Sequence, residues 1–365
     1  MQTTRTSLLR RPAVVPTIRL PGLRETATAL LRVLSGGAPS AREAARIITL
    51  DPVLVFELLQ TAPLEKNESA SLLEAIAQRI DNTDSGLLQA WALRHIVQQA
   101  QHRVDIGVHR HHCLHSQFVA ELSSQIARES GYVSPDEAYS AGLLHDIGLL
   151  WLIEYADDYL QMLVDIPDER TLTASELERF NEDHAEISSI LASRCGLPAG
   201  ISDAIALHQA EAASLVTAHP LVRITAAAEE LANYRTTQAP LSLENACRLT
   251  RLDGSILVSL LADTTRTIQD RAGALGLPVE TAMLSRPWGP AGNAATSPGS
   301  IDSGIARAAL GAFARSSFGR GSSAWTDFSL ASRLLLGLDA PVLFIKPLEG
   351  GDLTGAANPA HPGLN

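Results

Sequence analysis

No stretch of this 365-residue chain holds the roughly 20 consecutive apolar residues that a membrane-spanning helix needs. The opening MQTTRTSLLRRPAVVP carries charges and prolines where a secretory leader has an unbroken apolar segment. Together these predict a soluble, cytoplasmic protein. Cysteine is scarce: Cys113, Cys195 and Cys247 are far apart, odd in number and form no CxxC pair, so neither a disulfide framework nor a zinc knuckle is indicated. Aromatic residues make up only 4% of the chain. Positive charge is in deficit, with a formal net charge of -11 and a pI near 5.5, which argues against coating nucleic acid or anionic membrane by charge. Also missing are a phosphate-binding P-loop, a GxGxxG turn and a defensible Ser/His/Asp order; Gly36-Gly37 and Gly350-Gly351 read as turns.

What the sequence does hold is leucine, alanine and helical periodicity. Hydrophobic residues make up 45% of the chain, enough for a sizeable core. From Leu20 to about Glu280 the apolar spacing is helical: RETATALLRVL, AREAARIITL and SLLEAIAQRI repeat at three and four residues between Gly-Gly, Asp-Pro and Asn/Glu/Ser breaks. Ser134-Pro-Asp-Glu137 predicts a capping box that starts a helix carrying AYSAGLLHDIGLLWLIEY. Thr173-Ala-Ser-Glu176 predicts a second, opening a helix that runs through FNEDHAEISSILASRC to Gly196. After about Ser285 the texture changes to RPWGPAGNAATSPGSIDSG and RSSFGRGSS, the composition of a linker, interrupted by the helical IARAALGAFA. DFSLASRLLLGL then reads as a helix, and APVLFIKPLEGGDLTG as two short strands about a Gly-Gly turn.

Two histidine features stand out. HRHHCLH at 109–115 places four histidines and a cysteine in seven residues. At ~100° per residue, however, they spread around the helix axis; Cys113 points away from His115, and only His111 or His112 can share its face. The other three histidines are expected at a water-exposed helix start. GLLHDIG at 142–148 puts His145 and Asp146 side by side in an apolar stripe, where neither is stable without a partner. His115, His184 in EDHAEISSILASRC and His208 in GISDAIALHQ interrupt further apolar stripes. Four histidines and an aspartate converging in a bundle would suit Fe, Mn or Zn, with Mg a further divalent candidate, and the aspartate could bridge two ions ~3.5 to 4 Å apart. The alternative is a hydrogen-bonded polar core without metal, whose buried imidazoles would stay neutral because desolvation disfavours the charged form. Arg94, His95 and QQAQHR read as a solvated helix face, Trp91 and Trp151 as core, and Arg315, Arg320 and Lys346 as solvating charge on the linker and tail.

The order H…HD…H…H on helices resembles the HD superfamily of metal-dependent phosphohydrolases, and within it the HDOD branch, the HD-related output domain of bacterial signalling. The likeness starts at LPGLRETATALLRVLSGGAPSAREAARIITLDPVLVFELLQTA, continues through LHSQFVAELSSQIA, AGLLHDIGLL and DHAEISSILASRCGLPAGISDAIALHQ, and covers about residues 15 to 235. It implies an all-α fold, with an N-terminal helical subdomain at 15–104 and an HD-like helical subdomain with its extension at 105–284; composition adds a flexible segment at 1–14 and a linker at 285–325, and the short helix-plus-strands segment at 326–365 is separately similar to the start of a GAF-type domain. It also implies metal ligands at His115, His145, Asp146, His184 and His208, with Glu229 in ITAAAEELAN standing where the family carries Asp. Asp146 would be the central residue if the chain is catalytic. Two departures weigh against catalysis: Leu149 follows HDIG where catalytic relatives carry a phosphate-meeting Lys, and QAEAASLV follows His208 where cyclic-di-GMP phosphodiesterases carry HHExxDGxGYP. The resemblance thus implies a signalling output module that works through a protein partner; separately from the resemblance, a second copy of the chain is a candidate partner. The competing expectation is a metal-dependent phosphohydrolase or phosphodiesterase using the same cluster.

Overall fold

The computed structural model describes residues 20, 22–36, 40–61, 71–99, 106–166, 169–277, 343–345 and 354–356. Five helices come first: α1 (Arg24–Leu34), α2 (Ala41–Ile48), α3 (Pro52–Thr61), α4 (Leu72–Asp81) and α5 (Ser85–Gln99). The longest helix, α6 (Ile106–Glu129), leads into α7 (Pro135–Leu144), α8 (Ile147–Tyr155), α9 (Tyr159–Asp165) and α10 (Glu169–Phe180). The remainder is α11 (His184–Arg194), α12 (Ala199–Ala206), α13 (Ala212–Leu215), α14 (Pro220–Thr237), α15 (Pro240–Thr250) and α16 (Gly254–Ala274). Strands β1 (Leu343–Ile345) and β2 (Thr354–Ala356) pair antiparallel, with Phe344 opposite Gly355, as the two-strand reading of that segment expects. The all-α expectation holds for the helical body. The expected linker, the IARAALGAFA and DFSLASRLLLGL helices, Arg315, Arg320 and Lys346 lie outside the described residues, as does the boundary near residue 104.

One apolar core runs from Leu20 to Leu277, so the helices before and after residue 100 share an interior. Asp51 starts α3 by accepting from the backbone of Val53 and Leu54, and its other oxygen accepts from Leu23 N–H at 2.7 Å, tying the chain entry to the α2–α3 junction.

Two glycines flanking the His-Asp dipeptide let helices approach closely enough to build the site. A methyl on Gly142 would lie 2.7 Å from Ala120 Cα, so α7 sits directly on α6. A methyl on Gly148 would lie 2.2 Å from the His184 carbonyl, and Gly148 N–H donates to Ser188 at 2.8 Å, so α8 sits directly on α11.

Several sequence expectations are corrected. The helix expected through GLLHDIGLL breaks into α7 and α8 at His145–Asp146, where Asp146 has φ -110 and ψ 12. Thr173 lies inside α10, not at a start; the chain breaks at 181–183 and Asp183 caps α11 by accepting from Glu186 N–H at 2.7 Å. Ser134 makes no side-chain cap, and Glu137 instead accepts from the Tyr132 hydroxyl at 2.8 Å. Gly196 ends α11 as expected, with φ 77. Trp151 is core, and Trp91, partly buried, packs against the core and makes a T-shaped contact with His95.

Candidate metal centre

His115 projects from α6, His145 and Asp146 from the α7–α8 break, His184 from the first position of α11, His208 from just beyond α12, and Glu229 from α14. The break matters because a continuous helix would point two adjacent side chains ~100° apart, whereas here both turn to the same point. Asp146 lies at its centre. Its Oδ2 faces His145 Nε2 at 3.2 Å and His115 Nε2 at 3.7 Å. Its Oδ1 faces His208 Nε2 at 3.3 Å and His184 Nε2 at 3.7 Å. One carboxylate is thus divided between two histidine pairs. Glu229 joins the first pair, with Oε2 3.3 Å from His115 and 3.5 Å from His145. All six sequence-expected ligands converge.

The imidazoles are aimed by their far nitrogens. His145 Nδ1 donates to the Gly142 carbonyl at 2.8 Å and His208 Nδ1 to the Ile205 carbonyl at 2.7 Å; since a carbonyl only accepts, each Nε2 is turned inward. His184 is aimed by a residue the sequence reading took for a helix cap. Glu176, fully buried, accepts from His184 Nδ1 at 2.7 Å and from His184 N–H at 2.9 Å, while its other oxygen accepts from the Tyr159 hydroxyl. A carboxylate behind a ligating histidine is the usual device for fixing its tautomer and raising its basicity. The only signal in sequence was a Glu eight residues before His184.

The donor set fits a metal. His115 Nε2 lies 3.2 Å from His145 Nε2, a pairing of two ring nitrogens that one shared cation would satisfy. Asp146 Oδ1 and Glu229 Oε2 are buried and accept no hydrogen bond from the described residues. His115, His145 and Asp146 form one triplet of potential ligands, and Asp146, His184 and His208 form another. Imidazole nitrogens with carboxylates suit Fe, Mn or Zn. Burial alone would push His145 down, yet Asp146 and Glu229 override it and hold its pKa well above the ordinary imidazole value. Burial would likewise raise Asp146, but His145 and His208 hold it well below the usual carboxylate range.

The remaining histidines of HRHHCLH are buried rather than exposed: His109, His111 and His112 are 1%, 7% and 2% exposed. None enters the cluster. His111 stacks on His115 with ring centres 6.3 Å apart, His112 Nδ1 meets the Ser116 hydroxyl at 3.3 Å, and burial lowers the His112 pKa well below its ordinary value. Cys113 points away from His115, as expected, and lies with His109 and Asp51 in a separate group of donor atoms. Asp51 there is already occupied by three backbone N–H groups. Arg94 and His95 are no solvated face either: His95 is fully buried, its Nε2 2.9 Å from Glu57, and Arg94 pairs with the same carboxylate.

The HDOD domain family matches residues 20–211, more than half of the chain, and this chain belongs to that family. Among solved structures it is similar to the MmoQ response regulator of Methylococcus capsulatus, at 26% identity and a TM-score of 0.53, over 67% of this chain and 98% of that one. It also matches a putative phosphohydrolase from Shewanella amazonensis at 19% identity and a TM-score of 0.41, over 71% of this chain and 96% of that one. A third match is an HDOD domain protein from Geobacter sulfurreducens, at 20% identity and a TM-score of 0.39, over 71% and 94%. No curated protein matches the chain. Among the described residues no helix is long and apolar enough to cross a membrane.

Proposed function

We propose that this HDOD protein is a regulatory signalling module that acts on a protein partner, holds divalent metal in its His/Asp cluster, and does not turn over phosphate esters. The observation that carries the reading is the charge beside the cluster. A cavity of about 360 Å³ opens onto His208 and Glu229, and among the described residues its lining includes a second carboxylate, Glu230, and no lysine or arginine. Phosphate transfer sites use cationic side chains to meet developing negative charge. Leu149, where catalytic relatives place Lys, is buried and apolar. Similarity to a response regulator supports the signalling half of the proposal.

The phosphohydrolase reading keeps one observation in its favour, the division of Asp146 between two histidine pairs. His115, His145 and Glu229 would hold one ion, His184 and His208 a second, with Asp146 between them. A divalent ion there supplies Lewis acidity and lowers the pKa of bound water. The chain's own residues would orient the set: Glu176 keeps the proton on His184 Nδ1, and the Gly142 and Ile205 carbonyls do the same for His145 and His208.

Two measurements on the full chain separate the readings. In a screen of phosphomonoesters and cyclic nucleotides with added Mn, the proposal expects turnover at the level of the protein-free control. In a cross-linking capture it expects a saturable protein partner. Turnover that disappears in Asp146→Ala would overturn the proposal in favour of the enzyme.

A further inference from the structure

A second cavity, of about 460 Å³, lies away from the histidine cluster, between α2 and α4 on one side and α6, α7 and α16 on the other. Three arginines line it from three different helices: Arg46 on α2, Arg128 on α6 and Arg271 on α16. In a chain with a net charge of -11 this is an unusual concentration of positive charge in one concavity. Arg271 Nη2 pairs with Glu121 at 2.8 Å, but its Nη1 is buried and has no hydrogen-bond acceptor among the described residues. Arg46 and Arg128 are exposed, and neither guanidinium has an acid partner among the described residues. With Glu121 matched to Arg271, Asp136 is the one remaining acid in the lining among the described residues.

The start of α4 adds to this. Ser71, Leu72 and Leu73 line the cavity, and Ser71 caps the helix by accepting from Glu74 N–H at 3.2 Å. The first-turn N–H groups of a helix have no intrahelical acceptor and carry the positive end of its dipole. Tyr139, Ile47 and Leu50 add apolar surface to the lining, and the Tyr139 hydroxyl donates to the Thr49 carbonyl at 3.2 Å. Guanidinium groups match phosphate oxygens in bidentate geometry. The volume is that of a small-molecule site.

We propose that this cleft binds a nucleoside monophosphate, the phosphate held by Arg46, Arg128 and Arg271 and the nucleoside lying on the Tyr139 wall. Because the arginines come from helices on both sides of residue 100, a bound nucleotide ties α2 and α4 to α6 and α16, which makes the cleft an input site separate from the metal cluster. The test is calorimetric titration of the full chain in EDTA, which keeps the metal cluster out of the reading, with AMP, GMP, adenosine and inorganic phosphate as probes. AMP or GMP is expected to bind saturably, inorganic phosphate about 10-fold or more weaker, and adenosine not measurably. Arg46→Ala with Arg128→Ala, both exposed and so outside the core, should weaken nucleotide binding about 10-fold or more with an unchanged circular dichroism spectrum. Failure of both nucleotides to bind at millimolar concentration would overturn the proposal. So would binding that the double substitution leaves unchanged, and equal affinity for AMP and inorganic phosphate would overturn the nucleoside half.

Discussion

Two of the buried groups of charged side chains are built differently. In the α1–α5 half, Glu57 gives one oxygen to Arg94 and turns the other to His95 Nε2 at 2.9 Å, and His95 Nδ1 accepts from Gly22 N–H at 3.0 Å. Each acid faces a base, each ring nitrogen has a complementary group, and the cluster fastens the chain entry to α3 and α5. At the α7–α8 break, four inward Nε2 atoms surround two carboxylates, Asp146 and Glu229, and two of those nitrogens face each other at 3.2 Å. The first, the closed cluster, sets one acid between two bases, whereas the second, the open cluster, brings several imidazole and carboxylate atoms to one point, the kind of donor set that suits a divalent cation.

Removing a member should therefore act in opposite ways. The largest effect on stability is expected from Glu57→Ala, which leaves His95 and Arg94 without their acid and should cost about 3–5 kcal/mol in denaturant unfolding, with metal content unchanged. The same cluster has a pH signature. Burial alone would raise Glu57, but His95 and Arg94 hold its pKa lowered from 4.5 to about 2. A depressed carboxylate stabilises the fold above its unfolded pKa, so this contribution should disappear as pH falls from 4.5 to about 2. The acid limb of a stability-versus-pH curve should flatten there in the variant; an unchanged limb would show that Glu57 is not held as described.

The next effect belongs to the open cluster. Glu176→Gln keeps the shape behind His184 but weakens the charge that holds its Nδ1 proton. It should reduce metal affinity about 10- to 100-fold in a chelator competition. Unchanged affinity would separate Glu176 from the centre.

The smallest effect sharpens the local reading of the chain. Asp183→Ala removes the observed cap of α11 and should cost about 1 kcal/mol in thermal unfolding, while Thr173→Ala, inside α10, should stay within about 0.5 kcal/mol. The reverse order would restore the helix boundary that the TASE pattern suggested.

Much of the open cluster was legible because its chemistry is conspicuous: His115, His145, Asp146, His184 and His208 interrupt apolar stripes, and the family pattern adds Glu229. The closed cluster was not. Arg94 and His95 read as a wet face because polar residue types favour the surface, and only tertiary contact with Glu57, 37 residues from Arg94, reverses that. The same bias placed His109, His111 and His112 in water, when α6 is in fact enclosed by its neighbours along that stretch. The α7–α8 break was hidden by an apolar run that reads as one helix through GLLHDIGLLWL, though the break is what turns His145 and Asp146 to one point. Glu176 was misread because Thr173-Ala-Ser-Glu176 is a valid capping sequence, and periodicity does not distinguish a cap from a carboxylate turned inward.

The most direct test of the contrast between the two clusters is elemental analysis of the full chain purified without chelator, alongside Asp146→Ala and Glu57→Ala. The open-cluster account predicts about one to two equivalents of a transition metal in the wild type and in Glu57→Ala, and background levels in Asp146→Ala. Background metal in a folded wild type that stays metal-free after incubation with Mn, Fe and Zn would contradict it.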